Sequence, residues 1–182
     1  MPHVPFKKAY TFEPQLEVFN ILKKKLINDE RIKHNNLALS EIIEKKKITI
    51  NKLTSTSSLS EFDNSSVFLK IKNFLLRQKN EELNSYEVTT TTIDDYFEKL
   101  DLSNSLLKID VEGYELNVLK GSKNTIKKIK FVLIENQFFN IYKNNNEKDW
   151  HDYLMKNKFI LIKKFRFPLL HFEDRLYKNS LI

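Results

Sequence analysis

The sequence predicts an α/β fold with a mostly parallel sheet, and three stretches carry that prediction. Residues 8–14 are β-rich and end in an acid and a proline, and a helical pattern follows. Residues 106–110 repeat this order, with a short apolar strand, an acid and then a helix. Residues 131–136 are a continuous apolar run ending in polar groups, as in a buried parallel strand. Strands that alternate with helices build parallel sheets.

The composition indicates one folded domain covering residues 1–182, because 41% of the residues are hydrophobic. There is no cysteine, which excludes disulfides and thiolate metal sites. No apolar run is long enough to cross a membrane. The first five residues also lack the apolar segment of a secretory signal peptide. We therefore expect a cytoplasmic protein without a membrane partner.

The net charge is +7, from 31 basic and 24 acidic residues. A basic protein can bind nucleic acid or an anionic surface. Here the lysines are spread along the chain, and the runs at 23–25, 45–47 and 127–128 are typical of solvated faces. We predict no nucleic-acid partner, because basic and aromatic residues form no recognisable module. The alternative, a basic nucleic-acid-binding domain, rests on charge alone, and steeply salt-dependent binding would support it.

The first strand is predicted to end at Glu13. Pro14 suits the first turn of a helix that extends to about residue 28. An acid between a strand and a helix can accept hydrogen bonds from both hydroxyls of a ribose. The same acid could instead only favour the positive end of the helix dipole. The local sequence supports the two interpretations equally.

The next part of the chain predicts structure without obvious chemistry. A short strand is predicted within residues 32–39, and the alternation of Ile48 and Ile50 suggests an edge strand. Residues 53–60 are rich in Ser and Thr and predict a loop. Residues 61–87 contain apolar residues at helical spacing, which suggests an amphipathic helix.

Residues 86–92 are β-rich and predict another strand. Thr92 is positioned to cap the helix that follows. Asp94 and Asp95 fit the first turn of that helix, so we interpret both as structural.

The chain has only two glycines, Gly113 and Gly121, and both lie within residues 106–121. Gly113 is expected to allow a tight turn between strand and helix. Gly121 is placed where a helix C-terminal glycine belongs. The turn puts Asp110 and Glu112 at the carboxyl end of a strand, the edge where α/β sheets bind ligands.

The C-terminal part predicts a closing pair of strands. Because the two strands are joined by a short connection around Pro168, they must be antiparallel. Glu135 ends the preceding apolar run and is expected at the same sheet edge as Asp110. The predicted basic connection, helix and two strands are at residues 122–129, 150–157, 159–167 and 172–179.

Residues 108–115, Lys-Ile-Asp-Val-Glu-Gly-Tyr-Glu, with Val-Leu-Lys-Gly at 118–121, resemble the signature of the FkbM-type methyltransferases. That family uses S-adenosylmethionine and has a Rossmann-like fold with a mostly parallel sheet and a C-terminal antiparallel strand pair. The resemblance covers nearly the whole chain. Its further elements are Phe12-Glu13-Pro14, Ser57-Ser58-Leu59, residues 92–97 and residues 172–177.

The resemblance implies transfer of a methyl group from S-adenosylmethionine to a hydroxyl of a small molecule or glycan. Glu13 is then the candidate for the cofactor ribose, and Asp110 for a further cofactor contact. Asp110 or Glu112 is the candidate general base. Glu135 and Asn136 are the candidate substrate contacts. The structural alternatives are that Asp110 only caps the following helix and that Glu112 only holds the turn.

Acids such as these can hold a divalent metal. No histidine lies at ligand spacing near them, so the sequence predicts no metal. The histidines are isolated and are expected to be surface or packing residues: His3, His34, His151 and His171.

The resemblance does not include the first elements of the family's fold. In the family a strand and a glycine-containing turn precede the Phe-Glu-Pro element, whereas here twelve residues precede Glu13 and none is glycine. The first strand and helix are therefore expected to be missing, which leaves central strand edges unpaired. We favour a fragment or a late start. The alternative is a non-catalytic Rossmann-like remnant that acts as a binding or assembly module. An oligomeric state is compatible with that alternative.

Overall fold

The computed structural model describes residues 6–51, 56–58, 84–138, 146–166 and 172–182. These residues form a mixed α/β structure. The strands are β1 Ala9–Phe12, β2 Ile32–Asn35, β3 Ala38–Leu39, β4 Lys45–Asn51, β5 Thr56–Ser58, β6 Asn84–Thr91, β7 Leu106–Ile109, β8 Phe131–Gln137, β9 Phe159–Arg166 and β10 Phe172–Asn179. The helices are α1 Leu16–Lys25, α2 Ile93–Phe97, α3 Glu115–Lys120, a 3₁₀ helix Thr125–Lys128 and α4 Glu147–Lys156.

The described strands form three sheets, in the orders β1-β2, β3-β6-β4-β5 and β7-β8-β10-β9. The pairs β1/β2, β3/β6 and β7/β8 are parallel, and the other pairs are antiparallel. The α/β class is therefore confirmed, but the expected mostly parallel sheet is confirmed only in part. The sheets are mixed because β4 and the final pair of strands run against their neighbours.

The C-terminal antiparallel pair is confirmed. β10 pairs with β9 from Glu173 opposite Arg166 to Asn179 opposite Phe159, with an irregularity at Leu176/Tyr177. β10 also pairs with β8, so it lies inside its sheet.

The predicted edge strand is wrong. β4 lies between β5 and β6, and Ile48 is buried. Alternation reports one buried face and cannot distinguish an inner strand from an edge strand. Residues 56–58, within the predicted loop, form β5 and pair with β4. The helix suggested within residues 61–87 lies almost entirely outside the described residues, and the described end of that range belongs to β6.

The main core lies between the last sheet and the helices that cover it. It combines residues of α3, β7, β8, α4 and β10, including the fully buried Val118, Val132, Leu154 and Tyr177. A separate small cluster, Ala38, Ile48 and Val88, lies in the sheet that contains β4. Among the described residues, no helix is long and apolar enough to cross a membrane.

Helix α2 links the first sheet to the main core. Tyr10 of β1 contacts Phe97 edge to face at 5.1 Å between ring centroids, and Phe12 contacts Tyr96 at 4.8 Å. The predicted cap is confirmed, because Thr92 Oγ1 accepts a hydrogen bond from Asp95 N at 3.0 Å. These contacts hold β1, and therefore the residues after it, against the rest of the domain.

The two glycines are required for different reasons. Gly113 has φ 90°, which confirms the tight turn before α3. Gly121 follows α3 as predicted but has φ −75°, so it is not a left-handed helix end. A Cβ atom at Gly121 would lie 2.0 Å from the carbonyl oxygen of Ser40. Close packing of two backbones, which the sequence did not reveal, is therefore what requires this glycine.

Candidate active site

A cleft of about 1240 Å³ lies between β1 and the end of β7. Its wall is largely apolar and includes Phe97 and Tyr114. Glu13 and Asp110 both line it, one after each strand. The structure therefore brings together the two acids that the sequence proposed as cofactor contacts, although they belong to different sheets.

Glu13 is half-buried, and burial raises the pKa of its carboxyl even though a hydrogen bond opposes the shift. Its Oε1 atom accepts that bond from Gln15 N at 2.8 Å, just before α1. The described residues give no hydrogen bond to Oε2. Glu13 thus has the structural role expected of an acid that begins a helix, and it retains one oxygen for a ligand.

Three acids meet at the carboxyl ends of β7 and β8. Asp110, Glu112 and Glu135 each offer an oxygen, and these oxygens lie within 4.8 Å of one another. The parallel register that pairs Ile109 with Ile134 places Asp110 beside Glu135, as the sequence predicted. Lys108 makes an ion pair with Asp110 at 2.7 Å. We call Asp110, Glu112 and Glu135 the acid cluster.

The acid cluster shifts the pKa values of its surroundings. Burial, together with the charges of Asp110 and Glu112, raises the pKa of Glu135 to about 7. Asp174 lies opposite Glu135 on β10, and its pKa is raised by burial and by Asp110, although Lys108 opposes the shift. The charges of neighbouring carboxylates therefore add to burial in raising the pKa values of Glu135 and Asp174.

Two further residues adjoin the acid cluster, and the sequence analysis missed both. Gln137 lies on the same face of β8 as Glu135. Its Nε2 donates to Glu112 Oε2 at 2.5 Å. Glu115 is only 4% exposed, and its Oε1 accepts from Gly113 N at 2.9 Å. Burial raises the pKa of Glu115 to about 7. From the sequence alone, Glu115 would be taken for an exposed residue of a short helix. Its closeness to Gly113 was the one sign that it is buried.

Asn136 is not brought to the cleft. Neighbouring residues of a strand face opposite sides, so Asn136 is buried on the face of β8 away from Glu135. Its Nδ2 donates to Glu147 Oε2 at 3.3 Å. The two candidate substrate contacts, Glu135 and Asn136, therefore face opposite sides of β8, and their contact with a substrate stays a prediction.

Asn136 belongs to a buried polar network. Glu173 is fully buried and accepts hydrogen bonds from Arg166 Nε and Arg175 Nε, both at 2.7 Å. Arg175 also pairs with Glu147. Burial alone would raise the pKa of Glu173, but the hydrogen bonds from Arg166 and Arg175 lower it below its ordinary value.

Tyr114 fixes the wall of the cleft. Its hydroxyl lies 2.6 Å from Lys46 Nζ and 3.1 Å from Ser40 Oγ. These contacts tie the turn after β7 to the sheet that contains β4. No local pattern indicates these contacts, because Tyr114 is far in the chain from Ser40 and Lys46.

The described histidines have packing roles, as expected. His34 Nδ1 lies 2.9 Å from Thr11 Oγ1, and His151 Nδ1 lies 2.7 Å from the Tyr177 hydroxyl. Neither lines the cleft. His3 and His171 lie outside the described residues.

The family model of the FkbM methyltransferase domain matches residues 3–166. The chain belongs to the FkbM methyltransferase family. This confirms the resemblance found in the stretch around Asp110, and it indicates a methyltransferase domain.

A crystal structure of methyltransferase FkbM from Methylobacillus flagellatus KT is similar to this FkbM-family chain, with a TM-score of 0.54 at 16% sequence identity. The match covers 95% of this chain and 36% of that one, so this chain spans about a third of its length. At this identity the likeness shows the fold. A comparison with curated proteins gives no match.

Proposed function

We propose that this FkbM-family chain is an S-adenosylmethionine-dependent methyltransferase domain that acts on a hydroxyl of a small molecule or glycan. One observation carries the proposal. Asp110 lines the cleft and also belongs to the acid cluster. A methyl donor in the cleft and an acceptor at the cluster would therefore meet at Asp110.

The cleft fits the ribose part of the cofactor. Ligand pockets usually measure roughly 300–1,000 Å³, and this cleft is at least that large. Glu13 Oε2 is available to accept hydrogen bonds from ribose hydroxyls. Neither glycine lines the cleft, so the described residues offer no glycine-containing turn for the methionine part. The proposal for the cofactor therefore rests on Glu13 and Asp110.

S-adenosylmethionine supplies an activated methyl group on sulfur. The acceptor oxygen must approach that methyl in line, so positioning is the main task of the protein. A carboxylate that takes the hydroxyl proton would assist. Asp110 is the better placed of the two candidate bases, because the cleft lining includes Asp110 and not Glu112. Lys108 forms an ion pair with Asp110 at 2.7 Å and so helps to position its carboxylate.

Calorimetric titration of the purified chain with S-adenosylmethionine tests the proposal. We expect micromolar binding that is lost in Glu13→Ala. Glu17→Ala is the matched control, because Glu17 is an exposed acid in the first turn of α1. Glu13→Gln can still accept the hydrogen bond from Gln15 N, so this variant keeps the turn before α1. Weak binding of S-adenosylmethionine by this variant would therefore show that the carboxylate itself is needed. No binding by a folded wild-type chain would contradict the proposal.

A second candidate is a non-catalytic binding or assembly module. It is supported by the free strand edges at the cleft: among the described residues, β1 pairs only with β2 and β7 only with β8. Unpaired edges are sites where another chain can add a strand. A folded chain that binds no cofactor and sediments as an oligomer would favour this candidate.

A further inference from the structure

The turn that begins with Asp110 has a backbone conformation that needs support. Glu112 has φ 52° and Gly113 has φ 90°, so two successive residues lie in the left-handed region. That region is unfavourable for a residue with a side chain, and it persists where surrounding contacts hold it. We call residues 110–113 the acid turn. Because Asp110 lines the cleft, the conformation of the acid turn affects where its carboxylate lies.

Tyr114 connects the acid turn to a different sheet. It follows Gly113 directly, it lines the cleft, and it is only 5% exposed. Its hydroxyl accepts a hydrogen bond from Lys46 Nζ at 2.6 Å and lies 3.1 Å from Ser40 Oγ. Lys46 Nζ also lies over the Tyr114 ring, 4.7 Å from its centroid. Two side chains from the sheet that contains β4, or from its border, therefore hold the residue that ends the acid turn.

The other end of α3 is fixed to the same part of the chain. The carbonyl oxygen of Ser40 leaves no room for a Cβ atom on Gly121, which follows the helix. Asn117 Nδ2, within the helix, donates to Glu41 Oε1 at 3.3 Å. Since α3 is held at its end and in its middle, the contacts of the Tyr114 hydroxyl decide how the chain enters it.

We propose that Tyr114, held by Lys46 and Ser40, is a positioning residue for Asp110. The inference rests on the proposed methyl transfer, because it concerns the same cleft. Loss of the hydroxyl contacts would let the acid turn relax from its left-handed conformation, and Asp110 would then move relative to a ligand held at Glu13. A displacement of about 1 Å can reduce a rate about a hundredfold, even when the altered residue does not touch the reacting atoms.

The acid turn can be observed directly, because Gly113 and Gly121 are the only glycines in the chain. A full chain labelled with ¹⁵N-glycine therefore gives two backbone amide signals in a nuclear magnetic resonance spectrum. Carbonyl-¹³C glutamate identifies Gly113, since it follows Glu112 whereas Gly121 follows Lys120. Hydrogen exchange at these two amides, without ligand, measures how often each site opens.

Tyr114→Phe and Lys46→Met should each speed the exchange of the Gly113 amide about tenfold, because one hydrogen bond changes an opening equilibrium by roughly that factor. The Gly121 amide donates to Asn117 O within the helix end, so its exchange should stay within about twofold. Lys46→Arg keeps a donor and should retain slow exchange at Gly113. Lys46 is partly exposed, so its variants are expected to fold even if Tyr114→Phe does not.

Calorimetric titration with S-adenosylmethionine measures the consequence for binding. Tyr114→Phe should raise the Kd at least about fivefold, and Lys46→Arg should change it less than about twofold. Tyr177→Phe is the matched control. It removes an equally buried hydroxyl, 2.7 Å from His151 Nδ1, and Tyr177 does not line the cleft. Its Kd and its Gly113 exchange should each change less than about twofold, even if the fold becomes less stable.

Equal acceleration at both glycines would show that Tyr114→Phe only loosens the domain, and it would overturn the inference. Unchanged exchange at Gly113 would also overturn it. So would an unchanged Kd for Tyr114→Phe when the wild-type chain binds S-adenosylmethionine. If the wild type does not bind while Gly113 responds as expected, the proposed function fails and the support of the acid turn by Tyr114 stands.

Discussion

The carbonyl oxygen of Ser40 lies 2.0 Å from the point where a Cβ atom would stand on Gly121. The end of α3 and the residue after β3 therefore touch through their backbones. Gly121 O also accepts a hydrogen bond from Asp94 N at 2.9 Å, which joins the start of α2 to the same point. Three parts of the chain meet at this glycine.

Gly121→Ala should destabilise the fold by about 3 kcal/mol or more, because the added methyl group requires one backbone to move. Urea unfolding followed by circular dichroism measures this free energy. Lys120→Ala is the control, since Lys120 is at the exposed side of the same helix end and alanine favours helix. A loss for Gly121→Ala no larger than that for Lys120→Ala would show that the two backbones separate easily.

Ionisation of Glu115 should lower the stability of the fold as the pH rises. Its pKa is about 7 in the folded chain and 4.5 as the ordinary value, so the folded state holds the proton more tightly. The stabilisation is complete below about pH 4.5 and is lost as the pH rises through about 7. The difference corresponds to about 3 kcal/mol.

Glu115→Gln keeps the shape and removes the ionisation. Urea unfolding at pH 5 and pH 8, in the presence of a chelator, should show a smaller fall in stability for this variant than for the wild type. Glu135 also has a raised pKa, so the difference between the two proteins, rather than either curve, isolates Glu115. Parallel curves would mean that Glu115 does not ionise in this range.

Glu173→Gln should destabilise the fold by about 3 kcal/mol, because it removes a charge from a buried network and leaves Arg175 poorly compensated. Thermal and urea unfolding measure the loss. Asp29→Asn breaks the exposed pair with Arg31 and should have little effect. Equal effects of the two substitutions would show that burial adds nothing to the Glu173 pair.

Thr92→Ala should cost about 1 kcal/mol of folding free energy, because the Asp95 N–H loses its acceptor. Thr92→Ser keeps the hydroxyl and should retain most of the stability. Urea unfolding of the two variants compares them directly. If serine were as damaging as alanine, packing of the threonine methyl group, and not the cap, would be responsible.

Most secondary structure could be predicted from the sequence. β1, β7 and β8 begin and end within about two residues of the predicted segments, because hydrophobic periodicity is a local property. The error at β4 arose because pairing on both sides depends on strands far away in the chain. Successive residues of a strand face opposite sides, so the sequence already implied that Asn136 and Glu135 point away from each other. The prediction did not use this rule.

The sequence by itself determined the family, the α/β class and the acids that follow β1 and β7 and lie near the end of β8. Each of these depends on residues that are neighbours in the chain. The tertiary structure alone decided that Glu13 and Asp110 share a cleft, that Glu115 is buried, and that the backbone of Gly121 packs against that of Ser40. The physical reason is that burial, pKa and close packing depend on atoms brought together from distant parts of the chain, which no local pattern records.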